Sequence, residues 1–136
     1  MSDTVVYKEE SFAIIGACFA AYKEMGCGYL EPAVRRCLDE ELTLRKTPFM
    51  AQKGLMIRYH GTPLKQFNVA DIVCYDQIVL ELKAVKDLND QHRARLGNYL
   101  KATRMELGIL VNFGHYPQVQ YHRFVANDKW AEDRGK

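Results

Sequence analysis

No stretch of this chain is apolar for anything near the ~20 residues that a bilayer-spanning helix needs, so the sequence holds no candidate membrane span. Its four cysteines, at positions 18, 27, 37 and 74, form no C-x-x-C pair, and they share no zinc-ligand spacing with the four histidines. A zinc framework is thereby excluded. Cys18 and Cys37 fall on apolar stripes, as buried thiols in a reducing cytoplasm do. The N-terminus, MSDTVVYKEE, lacks the basic-then-apolar order of a signal peptide. There is no internal repeat and no low-complexity segment. Charge of one sign is scarce too: the formal net charge is +2, which neither demands nor excludes a polyanionic partner and makes any basic surface a local one. What remains is an ordinary globular composition, 48% apolar and 26% charged. At 136 residues the chain is read as one domain, 1–136, able to bury about two thirds of its unfolded surface.

Taken in order, Ser11 to Met25 has apolar residues at helical spacing, with Gly26 as its C-terminal stop. Pro32 suits the first turn of a second helix, whose buried stripe is Val34, Cys37, Leu38 and Leu42, and Thr47-Pro48 closes it. Glu31 stands at that helix's N-terminus, where a carboxylate gains ~0.3–1 kcal/mol from the dipole. Leu55–Tyr59 reads as a short strand, His60-Gly61 as a turn, and Thr62–Asn68 as a polar connector. Residues 89–104 are helical, capped by Asn89 or Asp90, with Leu96, Tyr99 and Leu100 inward. Residues 107–113 form a continuous apolar run, as expected of a strand covered on both faces. Val119–Val125 is a last strand, and the charged chain from Ala126 onward is expected to fray. The strand–helix–strand unit joining 78–85 to 107–113 implies a right-handed crossover. The fold class is α/β: a mixed central sheet flanked by helices, in an αβββαβ order.

The segment between those halves, DIVCYDQIVLELKAV from Asp71 to Val85, carries the chemistry. Two apolar runs, Ile72–Tyr75 and Ile78–Leu80, flank Asp76-Gln77 and read as a β-hairpin. Glu81 and Lys83 share one face of the second strand because side chains alternate. A three-residue loop, Tyr75-Asp76-Gln77, centres the pairing on residue 76 and sets Asp71 opposite Glu81. Cβ atoms so paired sit roughly 5 Å apart. At an effective dielectric of about 20, two carboxylates at that distance repel by about 3 kcal/mol. Relief requires a proton on one acid or a cation between them, and Lys83 supplies part of it. A purely structural reading, with Glu81 and Lys83 paired and Asp71 capping its strand, stays open on this signal alone.

An Asp followed about ten residues later by Glu-x-Lys has the form of the PD-(D/E)xK nuclease active site. IIGACFAAYKEMGCGYLEPAV, ADIV, VLELKAV, HRARLGNYL and LGILVNFG, in this order and over about residues 12–125, resemble the GxxExxY proteins of the PD-(D/E)xK nuclease-like superfamily. That resemblance implies a restriction-endonuclease-like αβββαβ core and a divalent-metal site. Asp71 and Glu81 take the motif acids, Lys83 the motif lysine, and Glu31 the helical glutamate. The family tyrosine three residues after that glutamate is Val34 here, and the basic residue two places before the aspartate is Val69. The glutamine of the family's H-x-A-Q-L pattern is Arg95, within His92-Arg93-Ala94-Arg95-Leu96.

The chemistry expected of these residues is hydrolysis of a phosphodiester in DNA, less readily RNA. Mg²⁺ (or Mn²⁺) wants oxygen ligands and keeps several waters, so Asp71, Glu81 and the Leu82 carbonyl suffice as protein ligands. Glu31 is expected to hold a water, and Lys83 to place the attacking water or balance charge. His92, Arg95 and Tyr99 lie on one helical stripe within reach of a phosphate, although His92 and Tyr99 serve equally well as packing residues. Arg35, Arg36, Lys101 and Arg104 are candidate backbone contacts. The competing expectation is a binding module for nucleic acid or protein that uses the same groove without catalysis.

Overall fold

A computed structural model describes residues 7–126. The elements run α1 (Lys8–Met25), α2 (Glu31–Leu44), β1 (Phe49–Tyr59), β2 (Thr62–Cys74), β3 (Ile78–Lys83), α3 (Asp90–Thr103), β4 (Leu107–Asn112) and β5 (Gln120–Val125). The strands form one five-stranded sheet in the order β1-β2-β3-β4-β5. All neighbours are antiparallel except β3 and β4, which are parallel and joined through α3. This is the expected mixed sheet with helices on its faces, and the expected element order. The charged tail expected to fray, residues 127–136, lies outside the described residues, as do residues 1–6.

Two hydrophobic layers hold the sheet. Ile72, Cys74, Ile78, Leu80 and Leu82 pack with Ile14, Val34, Leu38 and Leu42 from α1 and α2. On the opposite face Val73, Val79 and Leu110 pack with Leu96, Tyr99 and Leu100 from α3. β4 is buried along its whole length because both layers cover it. α3 approaches it closely at Gly108, where a Cβ would press on Leu96 and Leu100. The start of α3 is fixed by Asn89, whose side chain accepts from the His92 backbone while His92 Nδ1 accepts from the Asn89 N–H, a reciprocal capping box.

Several expected boundaries move. α1 begins at Lys8 rather than Ser11, after Tyr7 in a left-handed conformation without a side-chain cap. α2 stops at Leu44, before Thr47-Pro48, and Cys37 is only half-buried where Val34, Leu38 and Leu42 are buried. β1 starts at Phe49 rather than Leu55, and Thr62–Asn68, expected as a polar connector, belongs to β2. Those residues pair with β1, which supplies backbone partners without asking for apolar side chains. The β1–β2 ladder also breaks at one point: Gln52 adopts a positive φ of 56°, and the pairing skips from Ala51↔Ile72 to Lys53↔Ala70, leaving Asp71 without a ladder partner. The strand pair changes layer there. Phe49 packs with the α1–α2 layer, whereas Leu55 and Ala70 pack with the α3 layer.

Candidate functional site

The hairpin between β2 and β3 determines which side chains meet. Pairing runs Ile72↔Leu80, Val73↔Val79 and Cys74↔Ile78, centred on Asp76. Gln77 N–H donates to the Cys74 carbonyl at 3.1 Å, and both Tyr75 and Asp76 have positive φ, as in a type I′ turn. Gln77 is the extra residue that makes the loop odd. Continued by one step, this register sets Asp71 opposite Glu81. There the ladder gives way to side chains: Leu82 N–H donates to Asp71 Oδ2 at 2.8 Å, and Asp71 N–H reaches Glu81 Oε2 at 3.4 Å.

The two acids therefore touch, and the electrostatic consequence falls on Glu81. Burial first and then the Asp71 charge raise its pKa, which the Asp71 N–H and the Lys83 ammonium offset only in part, leaving it at about 7. Near neutral pH the pair keeps a proton that an ordinary glutamate has lost. The expected repulsion is thus present, and protonation relieves it. No ion pair joins Glu81 to Lys83 within 4.0 Å, so the salt-bridged structural reading of the hairpin has no support among the described residues.

A cleft of about 190 Å³ opens beside the pair, lined by Glu81 and Lys83 from β3, His92, Arg95 and Tyr99 from α3, and Val69 from β2. Tyr99 is nine-tenths buried, and burial, then Glu81 and Asp71, hold its phenol well above the usual range. It stays a neutral hydroxyl beside two acids. His92 is pushed the other way, by burial and then by the Lys83, Arg95 and Arg93 charges, so the imidazole is neutral at pH 7. Because Nδ1 accepts the capping hydrogen bond, the neutral ring carries its proton on Nε2. Lys83 is held in place from behind. Its carbonyl accepts from Phe113 N–H at 2.8 Å, and fully buried Asn112 takes the N–H groups of Val85 and Gly114 at 2.9 and 3.0 Å. A Cβ at Gly114 would collide with the backbone of Val85, so only glycine lets the chain pass there.

The structure thus gathers Asp71, Glu81, Lys83, His92, Arg95 and Tyr99 at one end of the hairpin. Glu31 heads α2 and makes no hydrogen bond or ion pair with either acid among the described residues. The α2 side chain that does reach them is Arg35, one turn further on, with Nη1 3.7 Å from Asp71 Oδ1. Arg35, a candidate backbone contact by sequence, stands four residues from Glu31 and so shares its face of α2.

Among the described residues no three His, Cys, Asp or Glu side chains gather as a metal cage. The oxygen set is instead two carboxylates and one carbonyl. Lys83 C=O faces β4, and neighbouring residues of a strand alternate, so Leu82 C=O faces the Asp71 side with its N–H. Together with two half-buried acids in contact, this suits a hard divalent ion that keeps some of its waters.

Residues 8–124 match the PD-(D/E)XK nuclease superfamily, and the chain belongs to that superfamily. Among curated proteins nothing matches the chain. The crystal structure of SSO0001 superposes with a TM-score of 0.55 at 20% identity, covering 93% of this chain and 61% of that one. The likeness is one of fold, and this chain spans about three fifths of the length of that one. Superfamily members typically use a divalent metal.

Proposed function

We propose that this superfamily member is a divalent-metal-dependent nuclease that hydrolyses phosphodiester bonds of DNA, of the GxxExxY type that its sequence blocks resemble. The observation that supports this most is the half-buried, touching pair Asp71–Glu81, with Lys83 beside it in the cleft. Asp71, Glu81 and the Leu82 carbonyl would hold Mg²⁺ or Mn²⁺. When bound, the ion polarises the scissile phosphate and eases deprotonation of the attacking water. Lys83 orients that water and balances the charge that builds on the phosphate. Arg95 grips a non-bridging phosphate oxygen pair, and the His92 Nε2–H and the Tyr99 hydroxyl donate to the same group. Glu31 is left a supporting role at the mouth, holding a water.

One observation favours a second reading, a non-catalytic binding module. Arg35 already stands against Asp71, and Arg95 lines the same cleft, so the acids have resident cations nearby. Labelled duplex and single-stranded DNA and RNA, incubated with Mg²⁺, Mn²⁺ or EDTA, separate the two. Cutting of DNA that needs the metal and vanishes in Glu81→Gln is the expected result. Nucleic acid bound by wild type but never cut, with either metal, establishes the binding module instead.

A further inference from the structure

The β1–β2 pair is far longer than the sheet behind it. β3 pairs β2 only through Ile72–Cys74, while β1 and β2 continue to a turn at His60-Gly61, both with positive φ. Beyond Leu55, β1 runs only to Tyr59, so at about 3.3 Å per residue this end of the ribbon projects about 13 Å. Every residue from Arg58 to Lys65 is exposed. A two-stranded ribbon with both faces in water gains little from packing, so its side chains answer to something other than the core.

What they show is one sign of charge. From Thr47 to Ala70 the chain holds no Asp or Glu, although the whole sequence has 17. The same stretch carries Lys53, Arg58 and Lys65. Lys53 is spent on Asp76 at 2.7 Å, but neither Arg58 nor Lys65 joins an ion pair among the described residues. Tyr59 stands 65% exposed beside them, edge-on to His60. The register slips between Met56 and Arg58, where β2 bulges around Leu64–Gln66 and so re-aims Lys65. The root of this ribbon is Val69, which lines the cleft.

We infer that the β1–β2 ribbon beyond Leu55 is a nucleic-acid arm, on which a duplex is held with Arg58 and Lys65 against its phosphates while its backbone enters the cleft at Glu81 and Lys83. The inference rests on the nuclease reading for the cleft. A major groove about 12 Å wide and about 8.5 Å deep admits a two-stranded ribbon, and an arm of about 13 Å is long enough to enter it. A strand lacking a groove offers the arm fewer phosphates, so a duplex gains more from it.

The test is fluorescence anisotropy of a labelled 24-mer, duplex or single-stranded, titrated with wild type and with Arg58→Gln/Lys65→Gln in EDTA, from 50 to 200 mM NaCl. Both positions are exposed, and circular dichroism with urea unfolding confirms that the variant folds. The duplex affinity of the variant should fall about tenfold, and its log–log salt slope should shrink by roughly 2, for two lost phosphate contacts. The loss on the single strand should be smaller. Equal duplex affinity and slope in the two proteins overturns the arm while leaving the nuclease reading intact. Duplex binding absent from wild type also overturns the arm, while the metal-dependent cleavage assay decides the nuclease reading separately. A dimer in sedimentation velocity, with duplex binding unchanged in the variant, assigns the ribbon to a second copy of the chain and also overturns the arm.

Discussion

The two faces of β3 began with the same kind of side chain and end differently. Toward α1 and α2 the strand presents Ile78, Leu80 and Leu82, each at most 1% exposed. Toward α3 it presents Val79, then Glu81 and Lys83 in the open cleft. The first face is closed by two helices; the second has one helix, packed only as far as Leu96, Tyr99 and Leu100 reach. A site needs a wall that stops early. The larger layer supplies the stability that the smaller one gives up in carrying two touching acids.

The sharpest way to break that contrast is to exchange a residue on each face. Leu80→Ala, on the closed side, should lose about 2–5 kcal/mol in urea unfolding, since the cavity has no room to collapse. Glu81→Gln, its neighbour on the open side, should be no less stable than wild type, because a repulsion is gone. Its thermal midpoint should also stop rising with added Mn²⁺, whereas wild type rises by preferential binding to the folded state. An Mn²⁺ response undiminished in Glu81→Gln would remove that residue from the metal site.

The next effect is a pH dependence of opposite sign to the usual carboxylate. Glu81 titrates at about 7 in the folded protein against an ordinary 4.5. Between these values the folded chain keeps a proton that the unfolded chain has released, so stability is full below pH 4.5 and falls as pH rises toward 7. The size is on the order of 3 kcal/mol. Unfolding midpoints from pH 4.5 to 8 measure it, and Glu81→Gln should flatten the curve. A wild-type curve that climbs with pH over this range contradicts the shared-proton pair.

The smallest effect tests the cation that reaches the pair from the closed side. The Arg35–Asp71 contact is long, at 3.7 Å, and partly exposed, so it contributes under about 1 kcal/mol. Arg35→Gln should tighten Mn²⁺ binding roughly threefold in calorimetry, because a competing charge has left Asp71. Weaker binding would make Arg35 a positioning partner of Asp71 rather than its competitor.

The hairpin, α3 and β4 were legible because each announces itself locally. Asn89 and His92 close a capping box, residues 107–111 are apolar without a break, and apolar runs on either side of Asp76-Gln77 leave few registers. The β1–β2 arm was not. Its outer residues, Arg58 to Lys65, pair with each other and are all exposed, so no apolar run marks them, and Pro63 near the tip argues locally against a strand. The left-handed Gln52 that strips Asp71 of its ladder partner is equally silent, since nothing in the residue type requires it. The Arg35–Asp71 contact was not legible because it joins residues 36 positions apart, across a packing of α2 on the sheet that no local pattern encodes.

Gln77 has a consequence for how such a site tolerates changes in length. The turn closes between Cys74 and Gln77, so Gln77 is surplus to it. Deleting that one residue leaves Tyr75 and Asp76 as a two-residue loop, and Ile78 moves up to close it without sliding either strand. Asp71 still faces Glu81, although the interval between them in the chain shrinks from ten to nine. Losing a residue from inside either strand would instead rotate every later side chain to the other layer and part the acids. Drift in the length of this motif is therefore cheap at the tip and ruinous two residues away, and the interval between the acids is a poor yardstick for the site.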